Sequence, residues 1–281
     1  GQMPKFGWAP ATVPGAPAAW AELTAKMGRL SLARNLAPAV ELARLGHAVS
    51  VATARYWELG IKRYQDEKGE EFRAWFEAFA PEGRAPRAGE LWRSEEQAST
   101  LERIGDSEAR DFYEGEIAGK ILEAARRTGG YFTEDDLGAF SPEWVEPIGV
   151  NYRGCRVWEI PPNGQGIAAL IALSILDGFD FQCRDHPETV HRQLEAMKAA
   201  FADAHRHVAD TRFSSVPVAG LLEQSYADSR RALIGDRAAD WRAGEPRPGG
   251  TVYLCTADGE GTMVSYIQSN YMGFGSGVVI P

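Results

Sequence analysis

The spacing of apolar residues changes along this chain, and that change limits the folds open to it. From Ala16 to about Gly130 apolar residues recur every three or four positions, the period of an amphipathic helix. Beyond residue 145 short β-rich stretches begin, and from Thr251 onward strands are predicted. The helical sets are Trp20, Leu23 and Met27; Leu36, Val40 and Ala43; Leu101 and Ile104; and Ile117, Ile121 and Leu122. These patterns predict an α+β protein with a large helical portion.

Two β-hairpins are predicted in the second half of the chain. Strands over 145–152 and 156–160 flank Arg153-Gly154-Cys155, and strands over 251–258 and 262–271 flank Gly259-Glu260-Gly261. Helices are predicted between the hairpins over 167–176, 187–210 and 222–234. The polar, Gly- and Pro-rich stretch 235–250 is predicted to be a linker.

Two more local patterns concern helices in the first half. The tract 66–93 is rich in Glu and Arg and contains Trp75, Phe76 and Phe79, so we predict a solvated helix face with a buried stripe and no catalytic role. Thr133 is followed by three acidic residues, a pattern typical of a helix N-cap.

Composition excludes several classes of protein. Apolar residues make up 44% and charged residues 25%, which indicates a folded domain. The net charge is -9 and no tract is dense in Lys or Arg, so nucleic acid is not an expected partner. The longest apolar run, 167–176, is too short to span a bilayer, and the first residues lack a signal-peptide pattern, so no membrane association is predicted. The compartment, cytoplasmic or periplasmic, is left open.

Metal and dinucleotide sites are not favoured. His205 and His207 lie about 200° apart around a helix, and Asp203 with His207 is more typical of a local hydrogen bond than of a metal site. Gly164-Gln165-Gly166 lacks the third glycine of a dinucleotide fingerprint, which favours a strand-to-helix turn. Three widely spaced cysteines fit neither a disulfide framework nor a paired zinc site, and Cys255 is expected to be a small core residue.

Thr251 is the residue with the clearest chemical potential. It follows Pro248-Gly249-Gly250, where glycine permits the backbone distortion needed for the Thr hydroxyl to attack the preceding carbonyl. Hydrolysis of the resulting ester would leave Thr251 as a new chain start, whose α-amine can serve as the base for its own hydroxyl. The structural alternative is that Thr251 opens a strand simply because Thr has high β propensity.

The length of the last hairpin loop predicts which residue faces Thr251. If Gly259 to Gly261 form a three-residue loop, Thr251 pairs with Ser269, whose hydroxyl could then orient that of Thr251. A two- or four-residue loop would bring Gln268 there instead. The following run from Gly273 to Gly277 permits close backbone approach, either to a small substrate or in an ordinary bend.

The sheet content of this chain is expected to be incomplete. A two-stranded hairpin is marginal alone in water, and the chain stops on the apolar run Val278-Val279-Ile280-Pro281. We therefore expect a fragment of a longer protein, with sheet partners beyond Pro281.

Several motifs together resemble the γ-glutamyltranspeptidase family of N-terminal-nucleophile (Ntn) hydrolases. They are TVPGAPAAW at 12–20, STLERI at 99–104, FYEGEIA at 112–118, PPNGQGIAAL at 161–170, AFAD at 200–203, VPVAGLL at 216–222 and the final FGSG. The resemblance implies an αββα sandwich made by a precursor that cleaves itself into two subunits. It makes 1–250 the later part of a large subunit and 251–281 the start of a small one.

The resemblance also assigns residues. It implies that the chain is cut between Gly250 and Thr251, that Thr251 is the nucleophile and that the hydroxyl of Ser269 supports it. Substrate binding falls to Tyr271, where the family has Asn, and to Gly275. Tyr271 and the Thr251-Val252-Tyr253 opening depart from the family pattern and favour its divergent, cephalosporin-acylase-like branch. The family's α-carboxylate-binding Arg would precede Gly1, and its oxyanion-hole residues would follow Pro281.

The resemblance implies a γ-glutamyl transferase or hydrolase that acts on glutathione-like γ-glutamyl amides and belongs to glutathione metabolism. Its partners would be a small-molecule substrate and the two subunits of one precursor, and it would use no metal or organic cofactor. Assembly into a homo-oligomer is left open. A cephalosporin acylase acting on glutaryl-type amides and a catalytically inactive scaffold are the alternatives.

Overall fold

The computed structural model describes residues 3–241, 251–270 and 273–281. Its described residues form two compact units, the first drawn from Gly1–Pro142 and Pro248–Pro281 and the second from Glu143–Arg247. Both units mix helix and sheet, which confirms the predicted α+β character. The segment that begins at Thr251 belongs to the same unit as the N-terminal helices.

Helices account for most of the regular structure. Within the described residues they are α1 (Ala16–Met27), α2 (Leu32–Leu45), α3 (Val51–Tyr64), a 3-10 turn (Glu70–Phe72), α4 (Arg73–Phe79), α5 (Glu95–Asp106), α6 (Arg110–Glu114), α7 (Glu116–Thr128), α8 (Glu134–Gly138), α9 (Gly166–Asp177), α10 (Pro187–His207), α11 (Val218–Leu221) and α12 (Gln224–Arg231). The strands are β1 (His47–Ala48), β2 (Leu91–Trp92), β3 (Ile148–Tyr152), β4 (Cys155–Glu159), β5 (Thr251–Ala257) and β6 (Met263–Ser269). They pair in sequence order as three separate antiparallel ribbons.

The first unit is held together by the apolar faces of its helices. Ile117, Ile121 and Leu122 on α7 are buried against Leu32 and Leu137, as the helical spacing predicts. Leu23 and Met27 on α1 are exposed. The predicted cap is confirmed, because the Thr133 side chain accepts a hydrogen bond from the Asp136 backbone N–H and the Asp136 carboxylate accepts one from the Thr133 backbone.

The charged tract over 66–93 is less helical than predicted. After a 3-10 turn its helix is limited to α4, and the chain then runs through turns to β2. Trp75 is completely buried and Phe76 and Phe79 are half-buried, so the predicted buried stripe is present. It belongs to an aromatic cluster that also contains Tyr64 and Phe274.

The core of the second unit is formed around α9. Ile167, Leu170 and Ile175 on this helix are fully buried, and α9 packs on α10 and on the β3–β4 ribbon. The predicted helices are confirmed with different bounds, since α10 ends at His207 and α12 covers only Gln224–Arg231.

The prediction of a three-residue loop in the first hairpin was wrong. Tyr152 pairs with Cys155, so the turn is the two-residue Arg153-Gly154 with φ of 48° and 84°. Positive φ at both positions is typical of the turn whose twist matches that of the two strands. Glycine accommodates one of these positions without strain.

The expectation that Cys255 is a core residue was also wrong. Cys255 is exposed, as are Cys155 and Cys183, and all three are free thiols. In the described part of the β5–β6 hairpin only Tyr266 and Gln268 are half-buried. An apolar strand pattern thus did not mean burial here.

No helix in the described ranges has both the length and the hydropathy needed to cross a membrane.

Candidate active site

The register of the β5–β6 hairpin confirms the pairing predicted for Thr251. Thr251 lies opposite Ser269, and Gln268 lies opposite Val252. The loop is the expected three-residue one, because the Asp258 backbone N–H donates to the Thr262 carbonyl oxygen at 3.1 Å. The position opposite Thr251 therefore carries a hydroxyl side chain.

Asp258 fixes this loop length with its side chain. Its Oδ1 accepts hydrogen bonds from the backbone N–H groups of Glu260 and Thr262, both at 2.9 Å. The hydrogen bond from the Thr262 backbone is the main reason why the pKa of Asp258 lies below its usual value. Local side-chain chemistry therefore determines the register of the hairpin.

The proposed site residues are described to different extents. The backbone of Thr251 is described as the first residue of β5, but its side chain is not, and Gly250 and Tyr271 lie outside the described residues. Ser269 ends β6 and Gly275 is described fully. The roles assigned to these five residues and the predicted hydrogen bond between the Thr251 and Ser269 hydroxyls remain predictions.

Gly275 packs against the end of β6. It has φ of 74°, and a Cβ built there would lie 3.2 Å from Asn270 Cβ and 3.3 Å from the Asn270 carbonyl oxygen. Any larger residue would therefore be strained by its backbone conformation and crowded by Asn270. The segment after the hairpin thus folds back beside the residue that follows Ser269.

Tyr64 holds the backbone of this segment from α3. Its hydroxyl donates to the Gly275 carbonyl oxygen at 2.8 Å, and the side chain is only 1% exposed. Burial raises the pKa of Tyr64 to about 12, so the phenol stays a neutral donor over the physiological pH range. On the other side of the segment, the Gly7 backbone N–H donates to the Ser276 carbonyl oxygen at 2.8 Å.

Phe274 anchors the same segment in the aromatic cluster. Its ring centroid lies 4.9 Å from that of Phe79, 5.2 Å from Trp75 and 5.8 Å from Trp57. These separations fit tilted and edge-to-face aromatic contacts. In the sequence, the visible signal of this cluster is the set of aromatic residues within the tract 66–93, for which no catalytic role is predicted.

A hydrogen bond from α1 links the hairpin to the helical part of the unit. Trp20 Nε1 on α1 donates to the Tyr266 hydroxyl at 2.7 Å, and that hydroxyl donates to Gln268 Oε1 at 2.5 Å. Tyr266 and Gln268 occupy the opposite face of β6 from Ser269, because side chains alternate along a strand. The Ser269 face also carries Ile267 and Tyr253, which are exposed.

The other patterns from the sequence form ordinary structure. Asp203 pairs with Arg230 at 3.0 Å, and burial raises the pKa of its carboxyl although Arg230 opposes that shift. No group of three or more His, Cys, Asp or Glu side chains in the described ranges is placed to hold a metal ion. Gly166 begins α9 directly after Gln165, as the strand-to-helix turn predicted.

Comparison with known proteins gives a consistent result. The family model for γ-glutamyltranspeptidase matches residues 1–281. The chain is similar to cephalosporin acylase from Bacillus halodurans, whose crystal structure superimposes on it with a TM-score of 0.94 and 51% sequence identity. The match covers 100% of this chain and 52% of the acylase chain. A glutathione hydrolase-like proenzyme of Bacillus subtilis is 36% identical over 95% of this chain and 50% of its own length. An oxamate amidohydrolase proenzyme of Klebsiella pneumoniae is 32% identical over 90% of this chain and 47% of its own.

The chain spans about half the length of the curated relatives it matches. Its similarity nevertheless covers nearly every residue, from the N-terminal helices to the segment after the hairpin. The resemblance inferred from the motifs is confirmed. This chain belongs to the γ-glutamyltranspeptidase family.

Proposed function

We propose that the full-length protein is an Ntn hydrolase that cleaves itself between Gly250 and Thr251 and then hydrolyses or transfers the acyl group of an amide. The observation that carries this proposal is the position of Thr251 as the first residue of β5, directly opposite Ser269. Support also comes from the family, in which two of the similar proteins are named proenzymes.

The self-cleavage needs only groups at the junction and one water. The Thr251 hydroxyl oxygen attacks the Gly250 carbonyl carbon, the C–N bond breaks, and the Thr251 nitrogen takes up the hydroxyl proton. Water then hydrolyses the Gly250 ester, which leaves a carboxylate on Gly250 and a free hydroxyl on Thr251. The new α-amine lies beside that hydroxyl and can act as its general base.

Turnover repeats this chemistry on a substrate amide. The α-amine takes the Thr251 hydroxyl proton as the oxygen attacks the substrate carbonyl, and it returns the proton to the departing amine. The acyl group then passes from Thr251 to water or to an acceptor amine. Ser269 orients the nucleophile, and Gly275 and Tyr271 contact the acyl group.

This proposal makes 1–250 the later part of a large subunit and 251–281 the start of a small one within an αββα sandwich. Contacts across the junction support lasting association after cleavage. They include the hydrogen bonds from Tyr64 to Gly275 and from Trp20 to Tyr266 and the packing of Phe274 among the rings of the large-subunit part. None of these contacts depends on an intact 250–251 bond.

Two substrate classes are supported by different observations. A γ-glutamyl amide of the glutathione type is supported by the family and by the hydrolase-like relative from Bacillus subtilis. A glutaryl-type amide is supported by the 51% identity to a cephalosporin acylase and by Tyr271 in place of the family's Asn. Rates on a γ-glutamyl anilide and a glutaryl amide, measured side by side on the processed enzyme, distinguish the two.

The test of the nucleophile is the intact mass of the purified full-length protein. We expect two polypeptides that meet at Gly250 and Thr251, and we expect Thr251→Ala to stay a single chain that hydrolyses neither amide. Thr256→Ala, on the same strand but outside the proposed site, should be processed normally. Cleavage or turnover by the Thr251→Ala protein would contradict the proposal. An uncut wild-type protein that no acylating inhibitor labels at Thr251 would favour the inactive scaffold.

A further inference from the structure

Two of the motifs that link this chain to its family have no part in the proposed chemistry. One is TVPGAPAAW at 12–20, which contains the start of α1, and the other is FYEGEIA at 112–118, which spans the junction of α6 and α7. Both lie in the first unit, which also contains the β5–β6 hairpin. Hydrogen bonds connect the two motifs to each other and to the strand β6, beside Ser269.

Tyr113 on α6 fixes the start of α1. Its hydroxyl donates to the Pro14 carbonyl oxygen at 2.6 Å and accepts from the Ala18 backbone N–H at 3.2 Å. The Tyr113 ring also stacks on that of Phe140, with the ring centroids 5.5 Å apart. The chain just before α1 and the first turn of α1 are therefore bound to one side chain.

Trp20 extends this network from α1 to the hairpin. Its half-buried ring packs against the core around α7, and its Nε1 donates to the Tyr266 hydroxyl at 2.7 Å. An indole N–H can only donate, so the Tyr266 oxygen is the acceptor and its own proton is left for Gln268 Oε1, at 2.5 Å. We call Trp20, Tyr266 and Gln268 the α1–β6 relay.

The relay meets the hairpin at its half-buried side chains. Tyr266 and Gln268 are half-buried, whereas the side chains of 253–265 are exposed. Gln268 directly precedes Ser269 in β6. The chain beyond β6 is bound separately, through the hydrogen bond from α3 to the Gly275 carbonyl oxygen. The relay therefore binds the end of β6 to the helices at a point distinct from Gly275.

Resting on the proposed function, we propose that Trp20 and Tyr266 are positioning residues for the nucleophile. The hairpin loop sets which residue faces Thr251, and the relay sets where the paired strands lie relative to the helices and the acyl-binding segment. Attack on an amide requires the nucleophile at a near-attack distance, and a displacement of about 1 Å can slow it about a hundredfold. Loss of the relay should therefore lower kcat much more than it changes KM.

The experiment uses the processed full-length enzyme and two conservative substitutions. Trp20→Phe removes the Nε1 donor and Tyr266→Phe removes the hydroxyl, while both keep an aromatic ring. Turnover of the better amide substrate is divided by the amount of Thr251 that an acylating inhibitor labels, so that uncut or unfolded molecules do not count. We expect kcat to fall about tenfold or more in each variant, with KM within about threefold of wild type.

A variant with both substitutions tests whether the two residues act together. If both act through one hydrogen bond, its kcat should lie within about twofold of that of the slower single variant, whereas independent effects would multiply. The pH dependence of kcat should keep its wild-type shape in all of these variants, because positioning involves no proton transfer.

Matched controls make the same substitutions at exposed positions. Tyr131→Phe changes a tyrosine of the first unit that is 75% exposed, and Trp158→Phe changes a tryptophan on β4 that is 55% exposed. Both should keep the wild-type kcat and KM. Thermal unfolding of every variant shows whether rates are compared between folded proteins.

The outcomes separate this proposal from the proposed function. A wild-type kcat in Trp20→Phe and Tyr266→Phe would overturn the positioning role, because the hairpin would then be held in place without the relay. A rise in KM at constant kcat would also overturn it, as would losses that multiply in the double variant or a shifted pH profile, which would assign the Tyr266 hydroxyl to proton transfer. A wild-type protein that stays uncut and unlabelled at Thr251 would instead refute the proposed function itself.

Discussion

The β5–β6 hairpin and the segment 273–281 are close neighbours in sequence but differ strongly in packing. The hairpin is exposed on the face that carries Ser269, and its pairing is set by its own loop. The later segment is fixed by residues from much earlier in the chain. Tyr64 donates to the Gly275 carbonyl oxygen, the Phe274 ring packs in the aromatic cluster, and Gly277 is buried. The nucleophile side of the proposed site therefore depends on local structure, while its substrate side depends on tertiary packing.

The largest expected difference between the two regions is in stability. In the 281-residue chain, Phe274→Ala should lower the free energy of unfolding by about 3 kcal/mol, because it removes a ring that packs against three others. Ile267→Ala on β6, where the side chain is 62% exposed, should cost about 0.5 kcal/mol or less. Urea unfolding of the two variants measures this contrast.

A matched control for Phe274 is Phe213, which is 86% exposed. Phe213→Ala should change the free energy of unfolding by no more than about 0.5 kcal/mol. If Phe274→Ala and Ile267→Ala lower the free energy of unfolding equally, the two regions are packed alike, and the proposed difference between them is wrong.

A smaller effect is expected when the hydrogen bond to Gly275 is removed. Tyr64→Phe keeps the ring and leaves the Gly275 carbonyl without its donor, which costs about 1–2 kcal/mol. If Gly275 contacts the acyl group, as we propose, KM of the processed full-length enzyme should rise up to about tenfold while kcat changes less. Steady-state kinetics on the better amide substrate give both constants.

The exposed Tyr56 on the same helix provides the control. Tyr56→Phe should leave kcat and KM at their wild-type values, because its side chain is 71% exposed. A fall in kcat at constant KM in the Tyr64→Phe enzyme would mean that Tyr64 acts on the nucleophile side of the proposed site and not on its substrate side.

The comparison also explains what the sequence could predict. The pairing of Thr251 with Ser269 follows from the length of a three-residue loop, and the cap at Thr133 follows from its own short motif. Both depend only on neighbours within a few positions, which local patterns encode. The turn at Arg153-Gly154 is shorter than predicted by one residue, which is the usual uncertainty of an element boundary.

Features that depend on distant residues were missed. Nothing in the local sequence pattern links Tyr64 to Gly275. Around Trp75 the sequence shows only a charged tract that contains aromatic residues. Cys255 was predicted to be buried because its strand is apolar, but burial requires a second layer over that strand. Periodicity reports which face is apolar, and only the tertiary structure determines what covers it.

The smallest expected effect concerns the loop that sets the hairpin register. The pKa of Asp258 is lowered chiefly by the hydrogen bond from the Thr262 backbone, so its stabilising effect is present above the unfolded-state pKa of about 4 and is lost as the pH falls through the lower folded value. Asp258→Ala should therefore speed amide exchange in β5 and β6 at neutral pH, and its difference from wild type should shrink as the pH falls below about 4. Glu260→Ala in the same loop should leave exchange at neutral pH unaltered, because among the described residues the exposed Glu260 side chain contacts Arg29, at 3.8 Å, and no backbone group of the loop. If Asp258→Ala leaves exchange at neutral pH as it was, the register is maintained by the strands themselves, and the nucleophile side is less local than proposed.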